Sequence, residues 1–392
     1  MKKAIVVPLS SVVGLAILAV IGPSGSAFHG RAALGGNDTV KWRTLRELMP
    51  RAIFRRQGCG FERVDCKGCR IAASLTPSTR APWRAEAASL LHLKKRARAC
   101  SVLAAPPSWM KNKKLRLFTI PAAIYLGLCG VVGGFQRSII YHPILQAEAQ
   151  MLTEARLSQC EPWKDASGAI IGWRAVKKAG VPSAPNRLLV FHGNAGYALD
   201  RTYYLHGFER DVKGHQWEVT LFEYPGYGAR PGVISEKSFV KAGQDALKQM
   251  QAEDQRPVYL LGESLGSGMA CALAKEAPGE IAGLYLFTPY ARIGDVGSRQ
   301  FPYLPIRLML LDPWDNVAAL NNYHGPVAMM IAGKDEIVTA PQGHLLFESY
   351  QGPKRLWVDE DAEHNSVETG PNARWWNEVS QFLIENRGGA KP

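Results

Sequence analysis

Acidic residues are scarce in the first part of the chain. Of 392 residues, 47 are Lys or Arg and 34 are Asp or Glu, yet five of the acids precede Leu117 against 22 of the bases. From Leu117 onward there are 25 Lys and Arg to 29 Asp and Glu, so the net charge of +13 belongs to the N-terminal segment. The remainder therefore lacks the basic surface that nucleic acid requires, and no nucleic-acid partner is expected for it. Cysteine is also sparse. Cys59, Cys66, Cys69 and Cys100 lie upstream, Cys129 falls in an apolar run, and Cys160 and Cys271 alone serve the rest, which excludes a disulfide framework. Cys66-Lys67-Gly68-Cys69 has no second pair at zinc spacing and no following His for haem attachment, so no metal site is expected there.

Charge is missing altogether from residues 117–135, a run of 19. That length suits a bilayer-crossing helix, softened by Pro121 and by Gly127, Gly130, Gly133 and Gly134. A core helix would show polar positions along one face, and this run shows almost none. Gly130 and Gly134 have helix-packing spacing, but glycine is frequent in spans, and the sequence leaves the oligomeric state open. Lys111, Lys113, Lys114 and Arg116 precede the run and Arg137 alone directly follows it. That asymmetry keeps the N-terminal flank cytoplasmic and sends the following domain to the non-cytoplasmic side, periplasmic or lumenal.

The extreme N-terminus has a signal-like layout of its own: Lys2-Lys3, an apolar stretch over 4–21, then Gly25 and Ala27. A signal there would export the basic segment onto the side that positive charge disfavours. The conflict disappears if translation starts at Met110. The expected organisation is a signal-like segment at 1–27, a basic extension of disordered character at 28–109 with no role in the chemistry, a transmembrane anchor at 110–136 and an α/β domain at 137–392.

Beyond a polar linker, strand and helix signals alternate. Strands are expected at 169–176, 187–191, 217–222, 259–261, 281–287, 327–331 and 356–358, and helices at 235–253, 269–275, 342–350 and 374–386. Apolar strands separated by helices imply a mostly parallel sheet with helices on both faces. Residues 289–323, rich in aromatics and proline, interrupt the rhythm as a short lid or acyl-pocket insertion.

Residues 259–268 carry the chemistry. Tyr259-Leu260-Leu261 runs as an apolar strand into Gly262-Glu263-Ser264-Leu265-Gly266, a Gly-x-Ser-x-Gly turn, with helix-forming residues behind it. Such a turn lifts a serine hydroxyl clear of the sheet in a strained conformation, which flanking positions without Cβ atoms permit. A serine nucleophile needs a base, and the base needs an acid to fix its tautomer. His364 follows the last strand and is the candidate base. Asp335 follows the strand at 327–331 and is the candidate acid, ahead of Glu336, Asp312, Asp315 and Asp359 to Asp361. Residues 188–196 form a strand opening into a glycine-containing loop, so Asn194 and Leu265 are the candidate backbone donors for an oxyanion. His192 is expected to shape that loop by hydrogen bonding. Tyr224-Pro225-Gly226-Tyr227-Gly228 forms a turn whose aromatics are candidates either for the pocket lining or for packing.

Together Phe191-His192-Gly193-Asn194-Ala195-Gly196, Tyr224-Pro225-Gly226-Tyr227-Gly228, residues 262–268, Gly333-Lys334-Asp335-Glu336 and His364-Asn365 resemble a known family. From about residue 135 the chain is similar to membrane-anchored α/β-hydrolases of the small-lid group that includes eukaryotic protein depalmitoylases and their bacterial relatives. The resemblance implies a serine hydrolase acting on small-molecule or lipid-like acyl esters or thioesters, with no metal or organic cofactor. A prolyl-oligopeptidase-type peptidase and a catalytically silent anchored scaffold are the alternatives. The first would need a propeller-like gate that the sequence lacks, and the second would be free to lose Ser264, Asp335 or His364.

Overall fold

The computed structural model describes residues 62–66, 69–73, 113–177, 183–210, 217–370 and 372–387. The signal-like segment at 1–27 and the proposed start at Met110 lie outside the described residues. Within the basic extension, Glu62–Cys66 and Cys69–Ala73 pair antiparallel as a hairpin that sets Cys66 opposite Cys69. It belongs to a separate unit from everything that follows.

The second unit begins with α1 (Lys113–Ile140), which includes the stretch Leu117–Ile140, long and apolar enough to cross a membrane. A polar linker was expected next. Instead α2 (Glu148–Leu157) forms, burying Met151 and Ala155 one helical turn apart, and then strand β1 (Cys160–Lys164). The strands that follow are β2 (Ile170–Ala175), β3 (Asn186–Phe191), β4 (Trp217–Phe222), β5 (Val258–Glu263), β6 (Ile281–Phe287), β7 (Val327–Ala332) and β8 (Lys354–Asp359).

These make one eight-stranded sheet in the order β1-β2-β4-β3-β5-β6-β7-β8. Strands β3 to β8 pair in parallel, while β2 runs antiparallel to both β1 and β4. Parallel strands buried on both faces need apolar residues at every position. Alternate residues then serve two separate cores. Leu189, Phe191, Leu260 and Leu286 pack with α3 (Glu236–Glu253) and α4 (Leu265–Glu276), whereas Leu188, Val190, Tyr259 and Tyr285 pack with α9 (Trp375–Glu385). Ser235 caps α3 as its hydroxyl accepts from Ser238 N at 3.1 Å.

The insertion between β6 and β7 folds as three short helices, α5 (Ile293–Gln300), α6 (Ile306–Met309) and α7 (Asn316–Ala319). Helix α8 (Ala340–Ser349) follows β7. In a sheet of this kind the loops beyond the carboxyl ends of the strands form the functional edge.

Candidate active site

Ser264 stands between β5 and α4 with φ 51° and ψ −113°, in a region that residues other than glycine rarely occupy. Its glycine neighbours make that possible. A Cβ on Gly262 would run into Gly266 O, and one on Gly266 would run into Phe191 O. The turn is then pinned from three sides: Ser264 N donates to Phe287 O at 2.8 Å, and its carbonyl accepts from Ser267 N at 2.9 Å and Ser267 Oγ at 2.7 Å. Ser267 Oγ itself accepts at 3.1 Å from Asn316 Nδ2, a buried side chain of the insertion that also donates to Tyr290 O at 2.8 Å.

His364, after β8, and Asp335, after β7, meet Ser264 from the far side of the turn. His364 Nδ1 donates to Asp335 Oδ2 at 2.6 Å. A carboxylate only accepts, so the imidazole proton sits on Nδ1 and Nε2 is left to accept from Ser264 Oγ at 2.9 Å. Asp335 is buried, and its other oxygen accepts from Ile337 N at 2.9 Å and Val338 N at 2.8 Å, which fixes its orientation. Three of the rival acids are engaged elsewhere. Asp312 pairs with Arg137, Asp315 caps α7 and pairs with Arg292, and Asp361 pairs with Lys334.

The loop 192–196 leaves β3 and lies directly against the serine, since a Cβ on Gly193 would be 3.7 Å from Ser264 Cβ. Every side of the loop is held. His192 Nδ1 donates to Gly193 O at 2.8 Å, Tyr224 OH to His192 O at 2.8 Å and Tyr227 OH to Asn194 O at 2.9 Å. Tyr224 and Tyr227 are fully buried, so these aromatics brace the loop and do not line a pocket. Asn194 Nδ2 donates to Ile140 O at 3.1 Å, and Asn194 O accepts from His142 N at 3.0 Å, joining the loop to the end of α1. Leu265, the first residue of α4, follows Ser264 directly.

Sequence reasoning missed a second layer of this site. The Glu263 carboxylate accepts from Arg201 Nε on both oxygens at 3.0 and 3.1 Å, from Tyr203 OH at 2.6 Å and from Tyr204 OH at 3.1 Å. Burial opposes charge on both partners, but their attraction prevails: Glu263 is held below the usual carboxylate range and Arg201 above its ordinary value. Arg201 also donates to Ala195 O at 3.2 Å, linking the serine turn to the neighbouring loop. A charged residue ending an otherwise apolar strand was the available signal, because a buried carboxylate demands partners.

A family model described as the alpha/beta hydrolase fold matches residues 186–308. An uncharacterized protein of Mycobacterium tuberculosis is 30% identical over 295 residues, covering 70% of this chain and 98% of that protein. The chain belongs to the α/β-hydrolase family. The alpha/beta hydrolase domain-containing protein WAV2 of Arabidopsis thaliana is 23% identical over 297 residues, 68% of this chain and 96% of that protein. Among solved structures, Est1E from Butyrivibrio proteoclasticus superposes with a TM-score of 0.47 at 13% identity, over 56% of this chain and 98% of Est1E. In an α/β-hydrolase the nucleophile stands on the strand-to-helix turn that Ser264 occupies here, and its acid and histidine follow in that chain order. Among the described residues no group of three or more His, Cys, Asp or Glu is arranged to hold a metal ion.

Proposed function

We propose that the protein is a membrane-anchored serine hydrolase that cleaves carboxylic esters or thioesters of acyl or lipid-like substrates. The observation carrying this reading is the unbroken hydrogen-bonded line from Ser264 Oγ through His364 to Asp335. Ser264 Oγ attacks the acyl carbonyl as His364 Nε2 takes its proton, and Asp335 stabilises the imidazolium that results. The backbone N–H groups of Leu265 and Asn194 receive the oxyanion. His364 then returns the proton to the leaving alcohol or thiol, and water repeats the sequence to release the acid. The apolar helix α1, joined to the site through Asn194, supports an acyl substrate drawn from a membrane, and Lys111, Lys113, Lys114 and Arg116 ahead of it favour the non-cytoplasmic side for the hydrolase domain.

A fluorophosphonate probe tests the reading together with p-nitrophenyl esters of graded chain length, acyl thioesters and proline-containing peptides. The folded wild type is expected to label and to turn over esters or thioesters, with both lost in Ser264→Ala. A folded wild type that does not label would favour a silent scaffold, and cleavage confined to the peptides would make it a peptidase.

A further inference from the structure

We propose that residues 301–311 of the insertion are seated in the lipid bilayer beside α1, an inference that rests on reading α1 as a membrane span. The segment is Phe-Pro-Tyr-Leu-Pro-Ile-Arg-Leu-Met-Leu-Leu, with Arg307 as its one charge. Three of its large side chains face outward while Ile306 is buried: Tyr303 is 87% exposed, Leu308 89% and Leu311 62%. Apolar side chains clustered in this way mark a surface made for another phase or partner.

Depth along α1 identifies the phase. Residues 117–136 are 20 uncharged positions, which at about 1.5 Å each span the ~30 Å of a hydrocarbon core. Arg137, bonded to Asp312 at 2.9 and 3.1 Å, then marks the upper boundary. The insertion does not stop at that boundary. Gln136 Nε2 donates to Met309 O at 3.0 Å and Leu311 N donates to Gln136 Oε1 at 2.6 Å, while Tyr125 OH donates to Tyr303 O at 2.9 Å. Tyr125 lies roughly 16 Å further along the helix axis than Gln136, at ~1.5 Å per residue. A segment that touches the helix at both levels enters the bilayer with it.

The chemistry of the contact suits that setting. Irregular backbone is tolerated at membrane depth only where protein groups satisfy it. Gln136 and Tyr125, two of the few polar side chains in the uncharged run, are spent on backbone groups of the insertion. Met309 packs over Gly133, where an added Cβ would stand 3.6 Å from Met309 Cε in ordinary van der Waals contact. Arg307 pairs with Asp295 at 2.8 Å on a stem long enough to reach the interface.

The test uses the full chain reconstituted into phosphatidylcholine vesicles that contain a phosphatidylcholine with a diazirine part-way along one acyl chain. After irradiation and trypsin, cleavage at Arg116, Arg137, Arg299, Arg307 and Lys334 separates the peptide 117–137 from 300–307 and 308–334. Lipid adducts on 117–137 and on both insertion peptides, several-fold above the remaining peptides, are expected. Adducts on 117–137 without the insertion would overturn this proposal and leave the anchor standing, meaning that a second copy or another protein covers the face. Adducts on neither would overturn the anchor as well. In the double variant Leu308→Asp with Leu311→Asp, labelling of the insertion peptides should fall several-fold while that of 117–137 persists, and unchanged labelling would count against the seating.

Discussion

Replacing Arg201 with Met strands the Glu263 carboxylate beside the proposed nucleophile. Glu263 now accepts from Arg201 on both oxygens and from two tyrosine hydroxyls at 2.6 and 3.1 Å. Breaking a buried ion pair by removing one partner costs about 3–5 kcal/mol. The two remaining hydroxyl donors set the cost at the low end, about 3 kcal/mol, and each kcal/mol moves the Tm of a domain this size by roughly 2–4 °C. The thermal midpoint of the detergent-solubilised full chain, followed by tryptophan fluorescence, should therefore drop by roughly 6–12 °C. Adding Glu263→Gln removes the stranded charge, so the double variant should recover more than half of that loss. A drop of less than about 2 °C in Arg201→Met, or simple additivity of the two substitutions, would refute a stranded charge at Glu263, since residues in contact must couple.

Three further perturbations address other parts of the molecule. Asp335→Asn puts an amide donor against His364 Nδ1, which moves the imidazole proton to Nε2 and should lower kcat roughly 10⁴-fold with the fold intact, as read from melting curves and ester turnover. Asn316→Ala removes the donor to Ser267 Oγ and Tyr290 O, and loosening the serine turn should cut kcat about tenfold, equal to about 1.4 kcal/mol, with KM nearly unchanged. Burial, then the charge of Asp312, pushes Glu236 up to about 7 from an ordinary 4.5. Between those values the folded chain holds the extra proton, so this group makes stability fall as pH rises from 4.5 to about 7 and level off above. Glu236→Gln should flatten that slope and raise the midpoint at pH 8 relative to wild type, which melts across the pH range would measure.

The sheet and the Ser264, Asp335 and His364 trio were legible because each depends on local pattern. Runs such as Leu188 to Phe191 are apolar at every position since both faces are covered, and each candidate falls just past such a run. The need for glycine at 262 and 266 is likewise local, and the atoms that a Cβ would strike are backbone atoms of the turn and of β3. What escaped depends on contacts across the chain. Arg201 reaches Glu263 over a separation of 62 residues, and Tyr224 reaches His192 over 32, so neither period nor motif announces the pairing. Helix α2 escaped for a different reason: it buries only Met151 and Ala155, and its composition otherwise matches a linker. The turn at 224–228 was readable as a turn, but whether its tyrosines face a pocket or a neighbouring loop is decided by which loop lies behind them.

The bond from Asn194 to Ile140 leaves almost no slack between α1 and the rest of the molecule. His142 is already hydrogen-bonded to Asn194, two residues past the end of the helix. An enzyme on a flexible tether sweeps a volume that grows with tether length and meets targets at many heights. On the proposed reading, with α1 as the anchor and Ser264 as the nucleophile, the site is clamped to its anchor and has one height and one aspect. Its selectivity would then be partly a matter of reach: a scissile bond held too far from the membrane surface would be refused whatever its chemistry, and lengthening the join at residue 141 would widen the range of substrates without altering a single residue of the site.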